Sequence, residues 1–245
     1  MGDLYKETVN KRKVTMFSYP RSGSNWMAYC LEQVTGLVVI GSDGHIGDIS
    51  VVNRLKNDPK AVVHKVHGGF NVWSVFDESN GNKEGLLLVI RNYKESILRD
   101  SQNKNLSDMK PFLVGIGNTS VNPDYMKMIQ KYDEFEGPKI LMDYDDFILN
   151  TEDELKRLAL WLVQFGGRYD DDTLAKFIDN IKDHKEFSMK RYIRMHGTTA
   201  TDGDPQKLKI QKETWLNDSS EKKIDEYVES RDPKIYEKYL KRYKL

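Results

Sequence analysis

The chain has 245 residues, of which 38 are basic and 38 acidic, and this zero net charge argues against a protein that binds nucleic acid through bulk charge. The single cysteine, Cys30, excludes an intrachain disulfide framework and a cysteine-rich zinc site, and we expect it to be a small buried apolar residue. No signal peptide is recognisable and no apolar run approaches the ~18 residues that span a bilayer, which favours a cytoplasmic protein without stable membrane insertion.

Short apolar runs rich in β-branched residues alternate with helical patterns, which predicts βαβ units and a parallel sheet. The run Leu86–Ile90 is apolar on both faces, as is typical of a fully buried strand. We therefore expect an α/β fold with three layers, in which helices flank a central parallel sheet, and a single domain over 1–245. The predicted strands are Val14–Tyr19, Leu37–Ile40, Ala61–Val66, Leu86–Ile90 and Lys139–Asp143.

Helices are predicted where apolar residues recur with a period of 3.6. An apolar face between 27 and 34 predicts a helix that Gly36 ends. Thr151 and Glu154 have the spacing of a capping box and open a second helix, which ends at 166–167. Further helices are predicted over 171–182, 219–230 and 233–243, and polar loops over 41–48, 103–123 and 194–210.

Residues 18–26, Ser-Tyr-Pro-Arg-Ser-Gly-Ser-Asn-Trp, are the most informative segment. They lie where the first strand ends and a helix begins, so several backbone N–H groups and the helix dipole favour an anion at one place. Arg21 adds a planar fork of donors that suits phosphate or sulfate oxygens. The segment predicts a phosphate-binding loop, the alternative being a plain strand-to-helix turn with a surface arginine.

This loop differs from the P-loop G-x-x-x-x-G-K-[ST], whose Lys reaches the outer phosphates and whose hydroxyl holds Mg²⁺. The chain has no Lys-Ser/Thr pair there, which favours binding of a charged ester group without an obligatory metal. His45, His184 and His196 lack metal-ligand spacing, so no metal site is predicted. Ligands of open parallel sheets bind beyond the carboxyl ends of the strands, where we expect the loop, His67 and Arg91 to converge.

The segment Ser18–Trp26 resembles the 5′-phosphosulfate-binding loop of the sulfotransferase family, usually written Tyr-Pro-Lys-Ser-Gly-Thr-Thr-Trp. Lys65-Val66-His67 resembles the family's Lys-Thr-His, and Val89-Ile90-Arg91-Asn92 resembles its 3′-phosphate motif. Tyr144-Asp145-Asp146 resembles its Tyr-Glu-Asp, and His184–Lys190 resembles its Ser-Phe-x-x-Met-Lys segment. These motifs follow the family's order over 14–190, which is more specific than any one of them, whereas the remaining C-terminal part matches only loosely.

The resemblance implies a P-loop-like α/β domain with about five strands. It also implies transfer of a sulfuryl group from 3′-phosphoadenosine 5′-phosphosulfate (PAPS) to an acceptor hydroxyl or amine, with 3′,5′-bisphosphoadenosine (PAP) as product and no metal. Charge then builds on the leaving phosphate oxygen, so catalysis depends on positioning and electrostatic stabilisation. The resemblance assigns donor binding to Arg21, Ser22, Gly23, Ser24, Asn25 and Trp26.

His67 is the candidate general base, because imidazole titrates near neutral pH and the residue ends a predicted strand. The alternative is an ordinary histidine at a strand end. Lys65, on the same side of that strand, is expected to neutralise the sulfonate or to orient the acceptor, whereas His64 should point to the opposite face. Arg21 stands where the family has lysine, so it would act catalytically by charge and hydrogen bonding rather than as an acid.

The nucleotide end of the donor is assigned to later motifs. Arg91 is expected to hold the 3′-phosphate with two parallel hydrogen bonds. Tyr144 and Phe187 are expected to contact the adenine, Phe187 by stacking, the alternative being that both are core residues.

The chain also departs from the family's pattern. Tyr93 replaces the proline after Arg-Asn, and Arg99 stands where the family commonly has a phosphate-binding serine. Either Arg99 binds the 3′-phosphate itself, or Ser96 or Ser101 supplies the hydroxyl. The family's late Arg-Lys-Gly element is not recognisable, and candidates to replace it are Lys207, Lys209, Lys212, Arg191 and Arg194.

The acceptor is not defined by the sequence. Aromatic residues near the predicted loops suit a small phenol, a saccharide or a lipid headgroup equally, and no nucleic-acid partner is expected. Two other function classes compete with a sulfotransferase: a magnesium-dependent kinase or nucleotide hydrolase, disfavoured by the missing Lys-Ser/Thr pair, and a non-catalytic nucleotide-binding protein, disfavoured by Lys65 and His67. The aromatic candidates are Phe70, Trp73, Phe76, Phe112 and Tyr125.

Overall fold

The computed structural model describes residues 13–40, 58–60, 62–67, 84–101, 125–196 and 218–244. Several sequence-based predictions lie outside the described residues. They concern the loops 41–48 and 103–123, most of 194–210, the side chains of Ser101 and Arg194, and the residues His45, Phe70, Trp73, Phe76, Phe112, Lys207, Lys209 and Lys212.

Five parallel strands form the central sheet: β1 Val14–Ser18, β2 Val39–Ile40, β3 Val63–His67, β4 Gly85–Ile90 and β5 Lys139–Asp143. Their spatial order is β2-β3-β1-β4-β5, so β1 lies between β3 and β4. Val14 is paired with Val63 on one side and with Gly85 on the other. Because all pairs are parallel, the carboxyl ends of these three strands meet at one edge. The predicted strands are confirmed, with ends displaced by at most two residues.

Helices follow the strands in chain order. They are α1 Ser24–Thr35, α2 Tyr93–Ser101, α3 Tyr125–Glu134, α4 Tyr144–Leu149, α5 Thr151–Val163, α6 Asp171–Asp179, α7 Ile181–His196, α8 Asp218–Arg231 and α9 Pro233–Ile235. A π-helical turn, Tyr236–Leu240, and a 3-10 turn, Lys241–Tyr243, continue from α9. Among the helices of the described ranges, none combines the length and the apolar character that crossing a membrane requires.

The sheet is buried on both faces because its side chains alternate between two cores. Met16 belongs to the core beneath α1 and α5, which includes Leu31, whereas the next residue, Phe17, belongs to the core beneath α3 and α8, which includes Ile129 and Ile224. The predicted three-layer α/β fold is therefore confirmed.

Two predictions about helix ends are wrong. Thr151 does not cap α5: it lies inside the first turn, and its hydroxyl donates to the carbonyl of Phe147 at 2.9 Å because α4 ends just before it. The predicted helix 171–182 is two helices, since α6 ends at Asn180 and α7 starts afresh at Ile181 and runs to His196. Residues 194–196, predicted as loop, are consequently helical.

Two further predictions need correction. Tyr125, expected near a loop of the acceptor pocket, is a fully buried residue at the start of α3, and its hydroxyl donates to the carbonyl of Arg91. It is a core residue because the carbonyl at the end of β4 supplies the partner that its hydroxyl needs. The predicted helix 233–243 is helical throughout but changes winding, from α through π to 3-10.

Candidate functional site

The turn that joins β1 to α1 has an unusual backbone. Arg21 has φ +67°, and within the described ranges it is the one non-glycine residue with positive φ; Gly23, which caps α1, has φ +77°. A left-handed arginine is a strained conformation of the kind that clusters at ligand sites. No acidic side chain occupies the first turn of α1, whose leading N–H groups have no acceptor within the helix. The turn therefore presents backbone donors and a guanidinium to an anion.

The ring of Tyr144 packs directly over this turn. A Cβ atom added at Gly23 would overlap the ring, so both the positive φ and the close contact require glycine here. The same ring lies 5.1 Å from the guanidinium carbon of Arg91, which is a cation–π contact. Tyr144 thus connects the turn after β1 to the residue after β4.

Arg91 is held from several directions. Its Nε lies 3.6 Å from Oδ1 of Asp145, and the backbone N–H of Asn92 donates to the second oxygen of that carboxylate at 3.3 Å. Its carbonyl accepts a hydrogen bond from Tyr125. These contacts fix the start of the guanidinium side chain at the wall of the site.

Two buried polar contacts support the turn from below. Lys65, only 4% exposed, donates through Nζ to Oδ1 of Asn25, so its charge lies under the first turn of α1. The hydroxyls of Ser22 and Ser96, both fully buried, lie 3.4 Å apart and link the turn to α2. Lys65 therefore affects the site through its hydrogen bond to Asn25, and Ser96 does so through its contact with Ser22.

His67 ends β3 and lines the cavity described below, whereas the strand residues before it are buried. Its Nδ1 lies 3.1 Å from the carbonyl oxygen and 3.0 Å from the hydroxyl oxygen of Ser18, the last residue of β1. The surrounding protein desolvates the imidazole, and the charge of Lys65 adds to this effect, so the pKa of His67 falls to about 3 although the Ser18 carbonyl opposes the change. A pKa this low keeps the imidazole neutral in the free protein but makes it a weak base, and an anion bound at the adjacent turn would raise the pKa toward the neutral range in which a general base works.

These groups meet around one cavity of about 520 Å³, within the usual size range for ligand pockets. The structure brings the turn after β1, the end of β3 and the residue after β4 together, as the strand order implies. The described lining residues are Pro20, Arg21, Gly23, Ser24, Asn25, Trp26, His67, Arg91, Tyr144, Ile148, Lys185, Ser188 and Met189.

Of the residues that the resemblance assigned to catalysis or to donor binding, four do not line this cavity. Ser22 and Lys65 lie just beneath it, as described above. Arg99 lies on α2 and forms an ion pair with Glu95 at 3.2 Å. Phe187 is 57% exposed and lines a separate open groove, where its ring lies 6.1 Å from that of Tyr29.

Lys185, Ser188 and Met189 were missed by the sequence interpretation. They have the i, i+3, i+4 spacing of one helix face, which was not recognised because residues 184–190 were matched to a motif rather than to a helix. The amine of Lys185 lies 5.9 Å from the centre of the Trp26 ring and adds positive charge to the wall. Ile148 was missed too, because the short helix α4 was not predicted.

Trp26 supplies an unsatisfied donor at the same wall. Its indole Nε1 is buried and has no acceptor in the part of the chain that the structure describes. The described residues hold no group of three or more His, Cys, Asp or Glu side chains with the geometry of a metal site.

The site combines a backbone anion cradle, a neutral imidazole and several cations around one cavity. In fold, the chain is similar to mouse sulfotransferase SULT7A1, solved as a complex with PAP, with a TM-score of 0.54 and 16% identity over 73% of this chain and 68% of that one. No protein-family model and no curated protein sequence matches the chain. At this identity the similarity establishes the sulfotransferase-like fold.

Proposed function

We propose that this protein transfers a sulfuryl group from PAPS to a hydroxyl or amine acceptor. The observation that carries the proposal is that His67 lines the same cavity as the left-handed turn Arg21–Gly23 and as Arg91. One cavity can therefore hold an anionic ester beside a group that accepts a proton. The fold shared with a sulfotransferase that binds PAP supports the same interpretation.

The donor carries two charged groups, and the cavity lining supplies a cation for each. We assign the 5′-phosphosulfate to the turn, where Arg21 and the leading N–H groups of α1 supply donors, with Ser24 and Asn25 beside them. We assign the 3′-phosphate to Arg91, whose guanidinium can form two parallel hydrogen bonds. We place the adenine against Trp26, which also lines the cavity.

The reaction needs one bond to form and one to break. The acceptor oxygen or nitrogen attacks sulfur, the bond between sulfur and the bridging phosphate oxygen breaks, and PAP leaves with the bonding electrons on its 5′-phosphate. The acceptor's proton moves to Nε2 of His67. Arg21 and the backbone donors stabilise the charge that grows on the leaving oxygen, and Lys65 supports them through Asn25. No step requires a metal.

The acceptor belongs to one of three classes: a small molecule, a saccharide or a lipid headgroup. Each class presents a hydroxyl or an amine, which is all that attack on sulfur requires. Ile148, Met189 and Ser188, which line the same cavity, give both apolar and polar contacts.

A transfer assay tests the proposal. The protein is incubated with ³⁵S-labelled PAPS, separate pools of phenols, amino sugars and glycolipids, and EDTA, and the products are separated by chromatography. We expect label on members of one pool and an equal amount of PAP. Transfer from γ-labelled ATP that requires Mg²⁺ would instead identify a kinase, and tight PAP binding without transfer to any pool would identify a nucleotide-binding protein.

A further inference from the structure

The end of the chain is fastened to the turn that begins α4. Arg242 binds Asp146 through two parallel hydrogen bonds of 2.6 Å each, and its Nη1 lies 3.2 Å from Oδ2 of Asp143. The hydroxyl of the next residue, Tyr243, donates to the same oxygen of Asp143. Residues 242–243 thus contact both ends of the four-residue segment 143–146.

A third contact joins residue 243 to α2 and, through it, to α8. The amine of Lys94, which is 3% exposed, donates to the carbonyl of Tyr243 at 3.2 Å. The same amine forms an ion pair of 2.9 Å with Asp225 of α8. Tyr243 is therefore held at its backbone as well as at its hydroxyl.

Asp143, which contacts residues 242 and 243, also caps the start of α4. Its Oδ1 accepts a hydrogen bond of 2.9 Å from the backbone N–H of Asp145, which is a helix N-cap. Asp143 is 5% exposed, and its burial raises the pKa of its carboxyl, so the donors from residues 242 and 243 are the groups that compensate for its desolvation. Removing either donor leaves this carboxylate less satisfied.

The start of α4 in turn contacts the cavity at two places. The carboxylate of Asp145 pairs with Nε of Arg91, and the ring of Tyr144 lies against both the Arg91 guanidinium and Gly23. The direct chain of contacts therefore runs from Arg242 through the 143–146 segment to Arg91. Arg242 itself does not line the cavity.

We propose that Arg242 and Tyr243 are positioning residues that orient Arg91, and thereby set how strongly the site prefers a nucleotide with a 3′-phosphate. The inference rests on the proposed function, because it takes Arg91 as the 3′-phosphate ligand. Arg242 also contacts the buried carboxylate of Asp143, so its loss should lower the free energy of unfolding as well. Nucleotide selectivity, measured on the folded variant, is therefore the readout that a merely structural role would not move.

The test compares Arg242→Ala with Lys241→Ala by calorimetric titration of PAP and of AMP. Lys241 is the matched control, since it is the adjacent exposed cation and pairs only within its own helix, with Glu237 at 2.7 Å among the contacts described. We expect Arg242→Ala to weaken PAP binding about tenfold and AMP binding less than twofold, and Lys241→Ala to change neither. A tenfold change corresponds to about 1.4 kcal/mol.

Two additional variants guard against a folding artefact. Tyr243→Phe removes one hydroxyl and should lower the PAP-to-AMP affinity ratio about threefold. Asp146→Asn should reproduce part of the Arg242→Ala loss, and the double variant should lose little more than Arg242→Ala alone, because the contact with Asp146 is one of the two that Arg242→Ala breaks. If the Arg242→Ala protein does not fold, the PAP-to-AMP affinity ratio of Tyr243→Phe tests the proposal in its place.

The outcomes separate the two proposals. If the wild-type protein binds PAP and these variants keep the wild-type PAP-to-AMP ratio, the positioning role is overturned and the proposed function stands. Equal weakening of PAP and AMP also overturns it, because that result indicates general damage. If the wild-type protein binds no PAP, the proposed function fails and the positioning role fails with it.

Discussion

The Nδ1 atom of His67 lies 3.1 Å from the carbonyl oxygen of Ser18, and this contact determines which ring nitrogen is available for chemistry. A carbonyl oxygen can only accept a hydrogen bond, so we assign the proton of the neutral imidazole to Nδ1, from which the Ser18 hydroxyl oxygen at 3.0 Å can accept as well. The lone pair is therefore on Nε2, the nitrogen that would take a proton from the acceptor. The parallel pairing of β1 with β3 places Ser18 opposite His67 and so produces this arrangement.

Substitution of His67 should separate catalysis from binding. We expect His67→Ala to lower the turnover number by about 10²–10⁴-fold, the usual contribution of a general base, and to leave the dissociation constant of PAP within about threefold. The measurement is steady-state transfer together with calorimetry. His184→Ala is the control, because His184 pairs with Tyr29 in the separate groove, 2.9 Å away, and does not line the cavity. Activity of the His67 variant within a few-fold of wild type would place the base elsewhere.

The protonation state of His67 can be observed directly by NMR. Its pKa is lowered to about 3, so in the free protein the imidazole should stay neutral from pH 8 to below pH 5.5, with the proton on Nδ1. The unfolded chain binds this proton near pH 6.5, so His67 makes folding less favourable as the pH falls from 6.5 toward 3. A ¹⁵N-detected titration gives both the tautomer and the midpoint. Ser18→Ala, which retains the carbonyl, should keep the tautomer, and a midpoint near 6.5 would contradict the assignment.

Gly23 and Gly36 form a matched pair for testing the turn. Both have positive φ, but a Cβ at Gly36 meets no atom within 4 Å, whereas one at Gly23 overlaps the Tyr144 ring. Gly36→Ala should therefore cost only the left-handed strain, about 1–2 kcal/mol of unfolding free energy, and leave PAP affinity unchanged. Gly23→Ala should cost more and weaken PAP binding at least tenfold. Chemical denaturation and calorimetry measure the two quantities, and equal effects of the two variants would show that the Tyr144 contact does not matter.

Arg91 and Arg99 offer alternative ligands for the 3′-phosphate. Arg91 lines the cavity, whereas Arg99 lies outside its described lining and pairs with Glu95. We expect Arg91→Ala to weaken PAP binding at least 30-fold more than AMP binding, about 2 kcal/mol of charge-assisted hydrogen bonding. Arg99→Ala should weaken both by less than threefold. A selective loss of PAP affinity in the Arg99 variant alone would reverse the assignment.

The sheet could be predicted from the sequence because its strands are short apolar runs bounded by polar turns. Leu86–Ile90 was predicted to within one residue and Lys139–Asp143 without error. The short helix α4 was not predicted, because its residues Tyr144–Leu149 have too few turns to show a period and start directly from β5. Its signal is the cap, in which Asp143 accepts from the N–H of Asp145. A similar local signal preceded α2, where Asn92 accepts from the N–H of Lys94 at 3.0 Å.

The site was predictable in part, because the predicted strands also fix where their carboxyl ends lie. The positions of Arg21, His67 and Arg91 follow from the rule that ligands bind at the carboxyl edge of parallel strands, and the structure places all three on one cavity. Lys185 could not be found in this way, since it lines the cavity from one face of α7, and no helix was predicted over residues 183–193. The contact between Arg242 and Asp146 spans 96 residues of sequence, and no local pattern indicates such a pairing.

The central claim is that this cavity recognises an adenine nucleotide with phosphates on both its 3′ and 5′ positions. Calorimetric titration of the wild-type protein with PAP, AMP and ATP, each with EDTA and with Mg²⁺, tests it most directly. We expect PAP to bind with 1:1 stoichiometry and equally well under both conditions, and AMP and ATP to bind at least 30-fold more weakly. Absence of PAP binding, or ATP binding that is tighter than PAP binding and depends on Mg²⁺, would contradict the account.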